Sequence, residues 1–91
     1  MIISSLKDLA PYLESDDYKE RLIGEILELY YRTKRLESLL NKTDEERGFS
    51  FNCPIHLLET QLESMNGLYN ILTIRATLEN IQLPDVEIEE A

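Results

Sequence analysis

One cysteine in 91 residues excludes a disulfide within the chain, and a lone cysteine with a lone histidine is too little for a structural zinc site. That usage suits a reducing cytosol. No apolar run approaches the roughly 18 residues of a membrane span, and Met1–Ser5 lacks the basic start of a signal peptide. The expectation is a cytoplasmic protein that does not enter membranes. Positive charge is scarce as well: nine Lys and Arg against eighteen Asp and Glu leave a formal charge of −9. Nucleic-acid backbones are held by releasing counterions from a broad basic surface, so a polymer partner is excluded, while a small anion held by a few local cations is not. The chain also lacks a nucleophile elbow, a glycine-rich phosphate loop, an HExxH motif and a Cys/His pair at ligand spacing. No enzyme, metal or cofactor is therefore expected. His56 reads as a surface or capping histidine and Cys53 as a small buried residue beside Pro54.

What the chain does have is helical periodicity. Ile55, Leu58, Leu62, Met65, Tyr69, Leu72 and Ala76 recur at alternating steps of three and four, which predicts a helix over about residues 54–82, with Pro54 in its first turn and Pro84 ending it. Leu22, Ile26, Leu29, Leu36 and Leu40 keep the same spacing, interrupted only by Thr33, and predict a second helix over about 17–42. Asp17 and Glu20 stand at capping-box spacing at its start, with Ser15 and Asp16 as competing caps. Residues 43–53 form the linker, where Gly48 is a candidate C-cap and Phe49 and Phe51 are apolar pegs over the hairpin end. Residues 1–15 are expected to open a short helix at Ser4 or Ser5, to be cut off within a turn or two by Pro11, and to fold back through Leu6, Leu9, Tyr12 and Leu13. The acidic tail, 84–91, is either frayed or extended on a neighbour through Val86 and Ile88.

Ninety-one residues make one domain near the small end of what folds unaided. Two long helices with a short link pack antiparallel, Leu40 near Ile55 and Leu22 near Leu72 and Ala76. That arrangement uses one stripe per helix, yet the second half of the later helix is apolar nearly all round. Leu68, Ile71 and Leu78 flank its stripe, and Ile74 and Ile81 lie behind it. A helix apolar on every side must be covered on every side. The expected fold is therefore all-α: an antiparallel helical hairpin with a short N-terminal helix, assembled into a homo-oligomeric bundle through Leu68, Ile71, Ile74, Leu78 and Ile81. Gly24 and Gly67 both lie opposite their own hairpin stripes, where each costs about 1 kcal/mol relative to Ala. They are either tolerated or mark a close approach by another backbone or a ligand.

Two groups of polar residues stand out. Tyr30 to Arg35, YYRTKR, is the one dense basic cluster and the one with adjacent aromatics. It reads either as an exposed face whose cations pair with Glu28 and Glu37, or as the guanidinium and aromatic surfaces that a phosphate and a base require. Asn66, Asn70, Thr73, Thr77 and Asn80 form a neutral polar row that is either solvated, or hydrogen-bonds a ligand, or sets the register of a neighbouring helix.

The pattern Asp17, Tyr18, Arg21, Glu25, Glu28, Leu29, Arg32 and Leu36, followed by Phe51, Cys53, Pro54, Leu57, Gln61, Met65, Tyr69, Leu72, Arg75 and Ala76, resembles a family of small bacteriophage and prophage proteins known through crAss-like phage. It spans residues 17–81. In architecture alone the chain is also similar to the phage helical-hairpin sponges of anti-CBASS and anti-Thoeris counter-defence, which bind nucleotide immune signals between subunits. The resemblance implies a non-enzymatic, homo-oligomeric protein of the infected bacterial cytoplasm that sequesters a cyclic oligonucleotide or a cyclic ADP-ribose type of messenger. In that reading Arg21, Arg32 and Arg75 hold phosphates, and Tyr30, Tyr69 or Gln61 meets the base. The alternative is an acidic helical inhibitor or adaptor of a host protein, drawing on Glu14, Asp16 and Asp17 at one end and Asp85, Glu87, Glu89 and Glu90 at the other. Self-association is testable directly. Ile74→Glu puts carboxylates into the expected contact and should dissociate or unfold the assembly. Light scattering on the native chain should report an oligomer at micromolar concentration, and a 10.6 kDa monomer would sink the expectation.

Overall fold

The computed structural model describes residues 1–89. Its elements are a strand β1 (Ile2–Ile3), a 3-10 turn (Leu6–Leu9), helices α1 (Ala10–Leu13), α2 (Tyr18–Leu40), α3 (Asp44–Arg47) and α4 (Ile55–Leu78), and a strand β2 (Glu87–Ile88). Helices α2 and α4 pack as the hairpin that the two periodic stretches call for, in a molecule of 42 × 24 × 19 Å. Among the described residues no helix is long and apolar enough to cross a membrane.

Helix α2 starts where Asp17 caps it, the Asp17 carboxylate accepting from the Lys19 amide at 2.9 Å. Glu20 does not reach back to the Asp17 amide. Its carboxylate instead accepts from the Ser15 hydroxyl, which in turn accepts from the Asp17 amide. One side of α2 then faces α4: Leu22 and Ile26 are buried with Leu72, Ala76 and Ile81, and Ile23, Leu29, Tyr69 and Leu83 pack around them. Thr33 sits buried in this helix without an unpaired polar atom, because its hydroxyl donates to the Leu29 carbonyl at 2.7 Å.

The opposite side of α2 carries a second core. Leu27 and Tyr31 are buried there with Ile3 and Leu9, and Leu6, Tyr12, Leu13, Val86 and Ile88 pack on them. The N-terminal helical segment opens after Ser5 and is held to about two turns, as expected, though the residue where it stops is not Pro11. Pro11 sits in the first turn of α1, where a missing N–H is harmless, so α1 continues to Leu13 and delivers Tyr12 and Leu13 to α2. The acidic tail is not frayed either. β2 lies parallel to β1, with the Glu87 amide donating to the Met1 carbonyl and the Glu89 amide to the Ile3 carbonyl, each at 2.9 Å. Residues 90–91, including Glu90, lie outside the described residues.

Helix α4 ends at Leu78, not near residue 82, and Pro84 is not what ends it. Asn80 takes the left-handed conformation, φ 57°, and the Asn80 and Ile81 amides turn back to the Thr77 and Ala76 carbonyls at 3.2 and 2.8 Å. These are the two reversed hydrogen bonds that close a helix through a left-handed residue, with Ile81 in the position that packs back on the last turn. Ile81 is consequently buried within its own subunit, beside Leu72 and Ala76, and is not available to a neighbouring chain. The linker also holds more order than expected. Thr43 and Glu46 exchange caps around α3, and Gly48, at φ 82°, ends that short helix rather than α2. Arg47 locks the turn: its guanidinium donates to the Leu39 and Lys42 carbonyls and to Asp44, and lies 4.2 Å over the Phe51 ring.

Gly24 explains the close contact between α1 and α2. A Cβ there would stand 2.8 Å from Tyr12 Cβ and 3.0 Å from the Leu13 backbone nitrogen, whereas a Cβ on Gly67 would meet nothing within 4 Å. Gly24→Ala should therefore lose about 1–3 kcal/mol to overpacking, set against up to ~1 kcal/mol of helix propensity, while Gly67→Ala keeps the propensity gain alone. Circular-dichroism melting should rank Gly24→Ala below the native chain and Gly67→Ala at or above it. Equal midpoints would show that the α1 contact yields. A loss at Gly67 would report a neighbour from another chain.

Candidate functional site

The basic cluster divides between the two sides of α2. Tyr31 faces the second core, its hydroxyl donating to the Ser4 carbonyl and accepting from the Arg35 guanidinium, both at 3.3 Å. Arg35 also lies over the Tyr31 ring. Arg32 turns toward the flank of the hairpin. There it meets Arg35, Leu36 and Leu39 from its own helix, Leu6 and Tyr31 at the back, and Gln61 and Met65 from α4, around an open groove of about 310 Å³. The groove thus has two guanidinium groups at one wall, an amide at the other and an apolar floor. It can hold a flat, partly apolar molecule with an acidic edge. Arg32 also pairs with Glu28 at 3.1 Å, an exposed contact one turn back that a stronger anion can displace.

The other expected ligand residues are dispersed. Arg21 donates to the Ser15 carbonyl at 2.9 Å. Arg75 donates to the Tyr18 hydroxyl at 2.8 Å and approaches Glu79 at 3.7 Å. The Tyr18 contact, with Glu79 and Glu25 behind it, raises the already high Arg75 pKa further. Tyr30 and Tyr69 pack across the α2–α4 seam with ring centroids 5.7 Å apart, and Lys34 stands over Tyr30. Tyr30 precedes Arg32 by two residues, about 200° around a helix, so the tyrosine pair and the Arg32 groove occupy opposite flanks of the hairpin. One subunit therefore brings Arg32 together with Gln61 but not with Tyr30, Tyr69, Arg21 or Arg75. Arg35 is the groove residue missing from the sequence-derived set. Its spacing from Arg32, one turn, was the signal for it.

Helix α4 turns a second stripe away from α2. Leu68, Ile71, Ile74 and Leu78 are 47%, 58%, 59% and 77% exposed. Gln61, Ser64, Leu68, Ile71, Arg75 and Leu78 recur at steps of three and four along this stripe, so Gln61 and Arg75 share one face with the exposed aliphatics. The Arg32 groove opens at its border. In the neutral polar row, the Thr73 and Thr77 hydroxyls donate to the Asn70 and Thr73 carbonyls, and Asn80 serves the helix end. His56 is exposed, and Cys53 is half-buried. Among the described residues no group of His, Cys, Asp and Glu is placed to hold a metal ion.

Comparison with known proteins yields one family. No curated protein matches the chain, and no solved structure does. A match to the family described as Sequestin runs over residues 16–78, from the residue before the α2 cap to the last residue of α4, and leaves out both segments that cover the back of α2. With more than half of its length inside that match, the chain belongs to the Sequestin family.

Proposed function

We propose that this protein sequesters a nucleotide-derived immune second messenger of the infected bacterial host, of the cyclic oligonucleotide or cyclic ADP-ribose type, and so blunts antiphage defence. Membership of a family named for sequestration supports a binding role without turnover. The observation that carries the finer reading is the flank groove, where Arg32 and Arg35 face Gln61 and Met65 in a chain of net charge −9. Two guanidinium groups one turn apart suit adjacent phosphate oxygens, and Gln61 offers both a donor and an acceptor to a base or ribose edge.

The groove is shallow in one subunit, and its border is the exposed aliphatic stripe. In this reading two copies join through Leu68, Ile71, Ile74 and Leu78, which carries Gln61 and Arg75 into the contact and closes the groove over the ligand. Large aliphatic side chains contribute about 1.5–3 kcal/mol each when fully buried, enough for a few of them to favour a dimer. Arg21, Tyr30 and Tyr69 then reach the ligand only from a second subunit. The alternative, an acidic inhibitor or adaptor of a host protein, would draw on Asp85, Glu87 and Glu89, which are exposed while β2 stays paired with β1.

A thermal-shift panel of cyclic dinucleotides, cyclic trinucleotides and cyclic ADP-ribose isomers tests the reading. A true ligand at 100 times its Kd should add about 2.7 kcal/mol of apparent stability. Arg32→Ala should weaken that ligand roughly tenfold or more, through loss of a charge-assisted contact. A panel with no shift would overturn the proposal.

A further inference from the structure

A second cleft, of about 160 Å³, lies on the other side of Arg35 from the flank groove. Its wall is α2, through Tyr31, Arg35, Ser38 and Leu39, with Lys42 just beyond the helix end. Its roof is the strand pair, through Ser4, Ile88 and Glu89. The space is on the order of ten times the minimum that seats one water.

The cleft's cations are unusual for this chain. Acidic residues outnumber basic ones two to one, yet among the described residues no carboxylate lies within ion-pair distance of Arg35 or Lys42. Arg35 is held by a neutral oxygen instead. Tyr31, fixed by its own bond to the Ser4 carbonyl, receives one Arg35 nitrogen and leaves the rest of the fork unmatched. Ser38 stands one turn on, and Lys42 one turn beyond that, on the same side of α2. A guanidinium fork, a hydroxyl and an ammonium stacked along one wall offer enough donors for more than one oxygen of a phosphoryl group. Glu89 stands at the rim and opposes a dianion.

We propose that this cleft is a second binding site, taking a phosphoryl group of a small molecule, with Arg35, Ser38 and Lys42 as donors and Glu89 as the rim charge that limits its affinity. The site depends on the strand pair. Its roof comes from segments outside residues 16–78, the part of the chain that matches the family.

Titration of the full chain with inorganic phosphate at constant ionic strength, read by the backbone amide signals of Ser38 and Ile88 in two-dimensional NMR, tests it. Saturable shifts are expected. Lys42→Gln should weaken them and Glu89→Gln strengthen them, each by roughly two- to fivefold, the size set by one exposed charge. Arg35→Gln should abolish them. Should that variant loosen the Tyr31 contact, Ser38→Ala gives the same reading without touching it, as a weakened shift. Arg32→Gln, which lines only the flank groove, should leave the Ser38 and Ile88 shifts intact while losing any response to the nucleotide panel. Shifts that fail to saturate in both the native chain and Glu89→Gln, or that persist unchanged in Lys42→Gln and Ser38→Ala, would overturn the proposal.

Discussion

Everything in this small protein rests on the burial of α2 from two sides. Leu22 and Ile26 face α4, Leu27 and Tyr31 face the terminal segments, and Ile23 touches both cores. A 23-residue helix with only a hairpin partner would leave one of those faces in water. The chain answers by folding α1 across Gly24 and laying β2 beside β1, so that two short segments with little stability of their own become one cover. Neither strand could persist alone at two residues. Their order is borrowed from the aliphatic side chains they bring to α2: Ile3, Val86 and Ile88.

The few cations divide by what holds them. Arg32, Lys34, Arg47 and Arg75 each reach a carboxylate three or four residues away. Of these, Arg47 alone is removed from water, its side chain 3% exposed between Phe51 and two carbonyls, and its task is to fix the turn. The exposed pairs contribute little to stability, because solvent screens them and side-chain entropy opposes them. Arg21 and Arg35 are different, being held by a carbonyl and a phenol. Neutral acceptors orient a guanidinium without neutralising it. In a chain this acidic, such charges create local positive potential where the global field is negative.

Legibility followed the physics. The α2–α4 hairpin could be read because its apolar positions repeat over six turns, and the stripe on α4 specified its partner at Leu72 and Ala76. Three features escaped for separate reasons. Asn80 ended α4 early because any residue before Pro84 could in principle extend the pattern, and a left-handed asparagine looks like any other polar residue until its φ is known. The capping box of Thr43 and Glu46 was present as a motif, but four helical residues leave no periodicity to flag it. The β1–β2 pair joins residues 85 positions apart, and nothing local in either strand encodes the other. The candidate site was legible only in part. Composition and the YYRTKR cluster led to Arg32, but residue type alone could not tell that Tyr30 leaves by the opposite flank or that Arg35 stands between two clefts.

Arg35 and Tyr31 therefore occupy the point where the hairpin meets its terminal cover. Tyr31 is buried by the N-terminal segment and bonded to Ser4, and through its hydroxyl it fixes the guanidinium that lines the flank groove. The Ser4 carbonyl that holds Tyr31 directly follows β1, so the strand pair is linked to the Arg35 guanidinium through the Tyr31 hydroxyl. The two clefts share Tyr31, Arg35 and Leu39, and of these only Arg35 is exposed and charged, so under the two proposals above a ligand in one cleft competes with a ligand in the other for the same guanidinium. No movement of the hairpin is required, since the Tyr31 ring is packed in place and only the long, exposed guanidinium arm has freedom to turn.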